Sequence, residues 1–181
     1  MKSNDFESLY RRAGAYCARR ETCRGDLEKK FRAADIDPDL IDRVLQRLED
    51  EKFIDEQRYA RAFVHDKAAF ARWGRIKIRN ALRLKGISRE NIAIALEEEI
   101  DEKTYRQTLR DLLAAKLRTL KFDPTDRRAT YLAAQKLARF AASRGFEAEA
   151  VFSEIDHLSA LCSSPVFCFP LSPLPAASSL L

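Results

Sequence analysis

The chain has 181 residues, 46% of them hydrophobic and 34% charged, so it combines the material of an apolar core with a highly charged surface. That balance excludes collagen-like, mucin-like and wholly disordered chains. Thirty-three Lys and Arg against 28 acids give a net charge of +5, which favours an anionic partner without demanding one.

Gly (5) and Pro (6) are scarce, and four of the six prolines fall in residues 165–181. The rest of the chain is therefore expected to be helix, since sheets need a steady supply of turn residues. Behind Lys2 there is no apolar run, so neither a secretory signal nor a membrane span is expected there, and the expected compartment is the cytoplasm. Cys17, Cys23, Cys162 and Cys168 show no CxxC spacing, and His65 and His157 lie far apart. No zinc site, disulfide or other cofactor is expected. Cys17 reads as a small core residue and the other cysteines as incidental.

In chain order, a first helix carries Phe6, Leu9, Ala13 and Tyr16 on one face. Asp37-Pro38 writes a helix start, a capping carboxylate followed by proline at the first helical position. Leu40, Ile41, Val44, Leu45 and Leu48 then recur at three and four residues, the spacing of an amphipathic helix. Tyr59, Ala62, Phe63 and Phe70 form the apolar set of a later leading helix. Another helix starts after Ser88, with Glu90 in its first turn and Ile92, Ile94 and Leu96 as apolar cover. Leu109, Leu112, Leu113, Leu117 and Leu120 mark a third leading helix, and Asp123-Pro124 repeats the proline start.

Shifting the chain by 51 residues places Leu27 on Ile78, Phe31 on Leu82, Ile36 on Ile87, Ile41 on Ile92 and Leu45 on Leu96. A further shift of 59 places Ile78 on Leu137, Gly86 on Gly145, Ile87 on Phe146, Ile92 on Val151 and Leu96 on Ile155. The later copies share a turn, Lys85-Gly86-Ile87 and Arg144-Gly145-Phe146, in which glycine takes the left-handed conformation after a helix. The expected fold is all-α: three tandem three-helix repeats, 1–51, 52–103 and 104–155, stacked into an elongated, curved body. Residues 156–181 form an apolar, proline-broken tail without Lys or Arg, expected to be disordered. Phe167 and Phe169 give it a minority reading as a docking segment.

No catalytic constellation, phosphate loop or dinucleotide turn is present, and a non-enzyme is expected. The informative segment is basic. From Lys67 to Arg89 stand eight bases, Lys67, Arg72, Arg75, Lys77, Arg79, Arg83, Lys85 and Arg89, and no acid. Arg75, Arg79 and Arg83, spaced by four, form one stripe on a helix whose Ile78 and Leu82 face the core. The plain alternative is a solvated face partly compensated by Glu97, Glu98 and Glu99. Trp73 reads first as connector packing and second as a contact on a base or a partner.

The stretch FIDEQRYARAFVHDKAAFARWGRIKIRNALRLKGI, Phe53 to Ile87, resembles the hallmark of the RecX family. It does so through Ile54-Asp55-Glu56, Arg58-Tyr59-Ala60, Phe63-Val64, Gly74, Ile78, Leu82 and Lys85-Gly86-Ile87. Arg20 to Phe31 is similar to the family's opening module. There Cys23 stands where a capping serine is usual, and Gly25 is a second weak point of the first turn. Ala142-Ser143-Arg144-Gly145-Phe146 is similar to the family's later turn. The resemblance covers residues 1–155 and says nothing of the tail.

The resemblance implies a regulator of the RecA recombinase, active in DNA repair and the SOS response. It would lie in the groove of the RecA filament and restrain ATP hydrolysis, strand exchange and repressor cleavage. The expected contacts with the filament, or with its single- or double-stranded DNA, are Arg72, Arg75, Lys77, Arg79, Arg83, Lys85 and Arg89. Lys67 is expected to bind with them, and Arg58 and Arg61 to add secondary contacts. A monomer without membrane association is expected. The alternative is a stand-alone helical DNA-binding protein, because serial three-helix units also describe helix-turn-helix readers.

Overall fold

The computed structural model describes residues 5–161; Cys162, Cys168, the four late prolines, Phe167 and Phe169 lie outside them. Among the described residues the chain is all-helical. The first three helices are α1 (Phe6–Cys17), α2 (Arg24–Arg32) and α3 (Pro38–Asp50). The next are α4 (Glu56–Ala69), α5 (Arg75–Leu84) and α6 (Arg89–Glu99), and the last α7 (Glu102–Leu117), α8 (Arg127–Arg144) and α9 (Ala148–Leu161). The substantial helix packings, α1 on α3, α2 on α3, α4 on α5 and α6, α5 on α6, and α7, α8 and α9 on one another, all fall inside a triplet. The fold is thus three successive three-helix repeats.

The repeat positions are the core positions. Leu27, Ile78 and Leu137 are buried, as are Ile36, Ile87 and Phe146, then Ile41, Ile92 and Val151, and finally Leu45, Leu96 and Ile155. The turns after α5 and α8 place Gly86 and Gly145 at φ +83° and +86°. At the corresponding place in the first triplet Asp35 takes φ +55°, a conformation a short polar side chain tolerates better than most.

Several helix starts differ from expectation. Asp37 is the N-cap of α3 and Pro38 its first residue, but the Asp37 carboxylate makes no capping hydrogen bond. Asp123-Pro124 does not open α8: Asp123 closes a turn by accepting from the Thr125 backbone and hydroxyl, and Asp126 caps the helix by accepting from the Arg128 N–H. Ser88 caps α6 as expected, accepting from the Asn91 N–H. On α4 the buried stripe is Tyr59, Ala60 and Val64 rather than the set containing Ala62 and Phe70. Ala60 and Val64, four apart, face inward, which turns Ala62 to solvent. Phe70 lies past the helix end, 77% exposed, with its ring edge-on to His65. The last helix also runs on through Leu161, beyond residue 155, and Leu158 packs on the core.

The three triplets do not have three cores. Leu9, Ala13, Leu27, Phe31, Ile36, Ile41, Val44, Leu45, Leu48 and Ile54 form one cluster. The second and third triplets share another, continuous from Tyr59 to Ile155, and Cys23 of the first triplet belongs to it. Cys23, not Cys17, is therefore the core cysteine: Cys23 is buried and Cys17 only half-buried.

Candidate partner-binding surface

Helix α5 carries most of the basic segment, and both its ends are clamped. At its N-terminus the Gly74 N–H donates to the Arg144 carbonyl (2.8 Å) and the Ile76 N–H to the Gly145 carbonyl (3.0 Å). These are orphan donors that a helix start must place somewhere, and Gly74, the N-cap, supplies no side chain to satisfy them. The contact also sets the positive end of α5 against the negative end of α8. The fit demands glycine on both sides. A Cβ on Gly74 would stand 2.2 Å from the Gly145 carbonyl, and one on Gly145 would stand 2.5 Å from the Lys77 nitrogen.

The C-terminal turn of α5 meets the start of α2 in the same sense. A Cβ on Gly25 would stand 2.3 Å from the Lys85 carbonyl oxygen. Gly25, expected to be a weak first-turn residue, is thus a point of close approach between triplets. Cys23 caps α2 without a side-chain hydrogen bond, and its thiol lies 3.9 Å from that same carbonyl. Where the stack ends, at the start of α8, the helix carries its own Asp126 cap.

A tyrosine four residues into each following leading helix reinforces each joint. The Tyr105 hydroxyl accepts from the Arg75 N–H (3.1 Å) and donates to Glu147 (2.6 Å). Tyr59 reaches Asp26 (3.4 Å), which the Lys85 ammonium also holds at 2.6 Å. Burial alone would raise the Asp26 carboxyl; Lys85, Cys23 and Tyr59 outweigh it and hold the group below its usual value. Burial would lower the Lys85 ammonium, yet Asp26 and Tyr59 raise it. Tyr59 is pushed up to about 12, chiefly by burial, and Tyr105 is raised by burial and by Glu147.

The structure therefore divides the basic residues. Lys85 belongs to one joint, and Arg75, paired with Glu102 (2.8 Å) and stacked over Tyr105, belongs to the other. Arg58 pairs with Glu21 (2.6 Å), Arg61 with Glu98 (2.6 Å) and Lys67 with Asp66 (2.5 Å). Trp73 is half-buried against the core, with the Lys77 and Lys67 ammoniums over its ring at 4.5 and 5.8 Å. Among the described residues Arg72, Arg79, Arg83 and Arg89 make neither ion pair nor side-chain hydrogen bond. The sequence could not separate these four from the rest, because the pairing acids, Asp66 beside Lys67 apart, come from distant parts of the chain. Glu97 to Glu99 pair with none of the bases from Lys67 to Arg89: Glu98 holds Arg61, and Glu99 lies 3.4 Å from His65. Among the described residues no group of three or more His, Cys, Asp or Glu could hold a metal, and no helix is long and apolar enough to cross a membrane.

Fold and surface together define a serial three-helix-repeat protein with two uncompensated guanidiniums, Arg79 and Arg83, on its central helix. Residues 55–96, from the cap of α4 into α6, match the family described as RecX, second three-helix domain. The chain is 33% identical over 135 residues to the regulatory protein RecX of Pseudomonas fluorescens strain Pf-5, covering 74% of this chain and 81% of that one. It is 40% identical over 81 residues to the regulatory protein RecX of Pseudomonas savastanoi, covering 45% of this chain and 52% of that relative. The crystal structure of RecX from Lactobacillus salivarius shares the fold, with a TM-score of 0.70 at 22% identity over 87% of this chain and 99% of that one. The chain belongs to the RecX family, whose named relatives are regulatory proteins.

Proposed function

We propose that the protein is a negative modulator of the RecA recombinase. It seats on the RecA–DNA filament and restrains ATP hydrolysis, strand exchange and repressor cleavage. Family membership supports the reading, and one observation carries it to a surface: the central helix α5, fixed at both ends, presents Arg79 and Arg83 without partners, with Arg72 just before it and Arg89 just after. Like charges held in a row on a rigid element have unspent attraction for an acidic groove. Serial repeats let several weak contacts on a polymeric target reinforce one another. Lys77 and Lys67 border this surface, while Arg58, Arg61, Arg75 and Lys85 contribute to its field from within their internal pairs.

A stand-alone DNA reader would lay the third helix of its three-helix unit in the major groove. Here those helices are acidic: α6 has Glu90, Glu97, Glu98 and Glu99 against Arg89 alone, and α3 has Asp39, Asp42, Glu49 and Asp50 against Arg43 and Arg47. Such helices repel phosphate. The test is the DNA-stimulated ATPase of RecA titrated with the protein. Inhibition supports the reading. Tight binding to a particular duplex without RecA, and an unchanged ATPase, would replace it with the DNA-reader alternative.

A further inference from the structure

At 100° per residue, Ile76, Arg79, Asn80, Arg83 and Leu84 fall within one arc of about 140° on α5. The arc is not purely ionic: Leu84 is 79% exposed and Ile76 39%. It carries no acid of its own, and the acids brought to the ends of α5 are already engaged, Asp26 by Lys85 and Glu102 by Arg75 and Arg106. Two aliphatic side chains, two turns apart, thus flank two unneutralised guanidiniums on a helix that cannot shift, since both its ends are locked against neighbouring triplets.

A sugar–phosphate backbone has use for the guanidiniums but offers nothing to Ile76 and Leu84. Single-stranded nucleic acid is held by aromatic stacking; the arc has no aromatic residue, and nearby Trp73 is occupied by Lys77 and Lys67. Complementary chemistry is found in a protein segment with carboxylates beside aliphatic side chains at helical spacing. We infer that this arc docks an acidic, amphipathic protein segment, so that protein and not DNA meets the centre of α5. The inference rests on the RecA reading only for which protein presents the segment.

Fluorescence anisotropy with the full chain tests it, using two probes: a 16-residue peptide of Glu with Leu at three- and four-residue spacing, and a 20-nucleotide oligo-dT. The double substitution Ile76→Ser/Leu84→Ser, at exposed positions where melting should be unchanged, is expected to weaken peptide binding about tenfold and leave oligo-dT binding as it was. Arg79→Glu/Arg83→Glu should weaken peptide binding more than oligo-dT binding. Failure of the unsubstituted chain to bind the peptide, or an equal loss of both probes in the serine variant, overturns the inference. RecA ATPase measured alongside separates the two readings. If the unsubstituted chain inhibits and the serine variant inhibits equally well, the docking inference fails and the modulator reading stands. If the unsubstituted chain does not inhibit, the modulator reading fails and the peptide result alone decides the surface.

Discussion

Substituting Gly74 by alanine tests the joint between the second and third triplets. The added Cβ would meet the Gly145 carbonyl carbon and oxygen at 2.2 Å and the Phe146 nitrogen at 2.3 Å. All three are backbone atoms, so no flexible side chain can yield and α5 must retreat from α8. Retreat stretches the Gly74–Arg144 and Ile76–Gly145 hydrogen bonds, each worth about 0.5–1.5 kcal/mol. Overpacking strain adds about 1–3 kcal/mol, for a total loss of about 2–6 kcal/mol. Two other glycines calibrate the measurement. Gly86 has open space around its Cβ position but φ +83°, so Gly86→Ala should cost only the left-handed penalty of about 1–2 kcal/mol. Gly14 lies inside α1 with ordinary contacts at 3.9 Å, and Gly14→Ala should stabilise by about 0.4–1 kcal/mol. Urea melts followed by circular dichroism read all three. If Gly74→Ala costs no more than Gly86→Ala, the close approach of α5 to α8 is not a source of stability.

The α2–α5 joint should respond to pH at both ends of the scale. Asp26 is held low in the fold, so its contribution is present above about pH 4 and fades as pH falls through the lowered value. Lys85 and Tyr59 are raised, so theirs is present up to about pH 10 and fades as pH rises towards the Tyr59 value of about 12. Asp26→Asn should abolish the acid limb, seen as pH-independent hydrogen-exchange protection of α2 below pH 5; a persisting acid limb would assign it elsewhere. Glu154 is only 1% exposed and is joined to Arg110 through two hydrogen bonds of 2.9 and 3.3 Å. Glu154→Ala should lower the melting temperature more than Glu28→Ala, which removes the exposed pair with Arg32; equal effects would make the buried pair dispensable. Gly25→Ala should loosen the first triplet from the second without melting either core, visible as faster exchange in α2 while α6 and α7 keep their protection.

The helical class, the threefold repeat and the buried repeat positions were legible because each helix writes its own apolar period. The αL turns at Gly86 and Gly145 were legible for the same local reason. The joints were not. They bring together residues about 60 to 70 apart, Gly25 with Lys85 and Gly74 with Gly145, and no period within a helix reports such a meeting. Gly25 accordingly reads as a weak helix start until Lys85 is placed against it. Arg75 reads as one of a stripe with Arg79 and Arg83, and Lys85 as part of the same basic segment, until Glu102 and Asp26 are brought to them. Asp37 and Asp123 show a different limit: an Asp-Pro pair marks a change of direction, but whether the carboxylate caps a helix or closes a turn depends on backbone angles that the pair does not specify.

On the proposed reading, this chain restrains RecA through the unneutralised guanidiniums of α5. The most direct measurement is RecA ATPase on single-stranded DNA, titrated at two salt concentrations with the unsubstituted chain and with Arg79→Glu/Arg83→Glu, leaving Arg75 in its joint. Inhibition should weaken with salt and be lost in the variant while its helicity and melting stay unchanged. An ATPase unaffected by the unsubstituted chain, or inhibited equally by both proteins, would contradict the proposed reading.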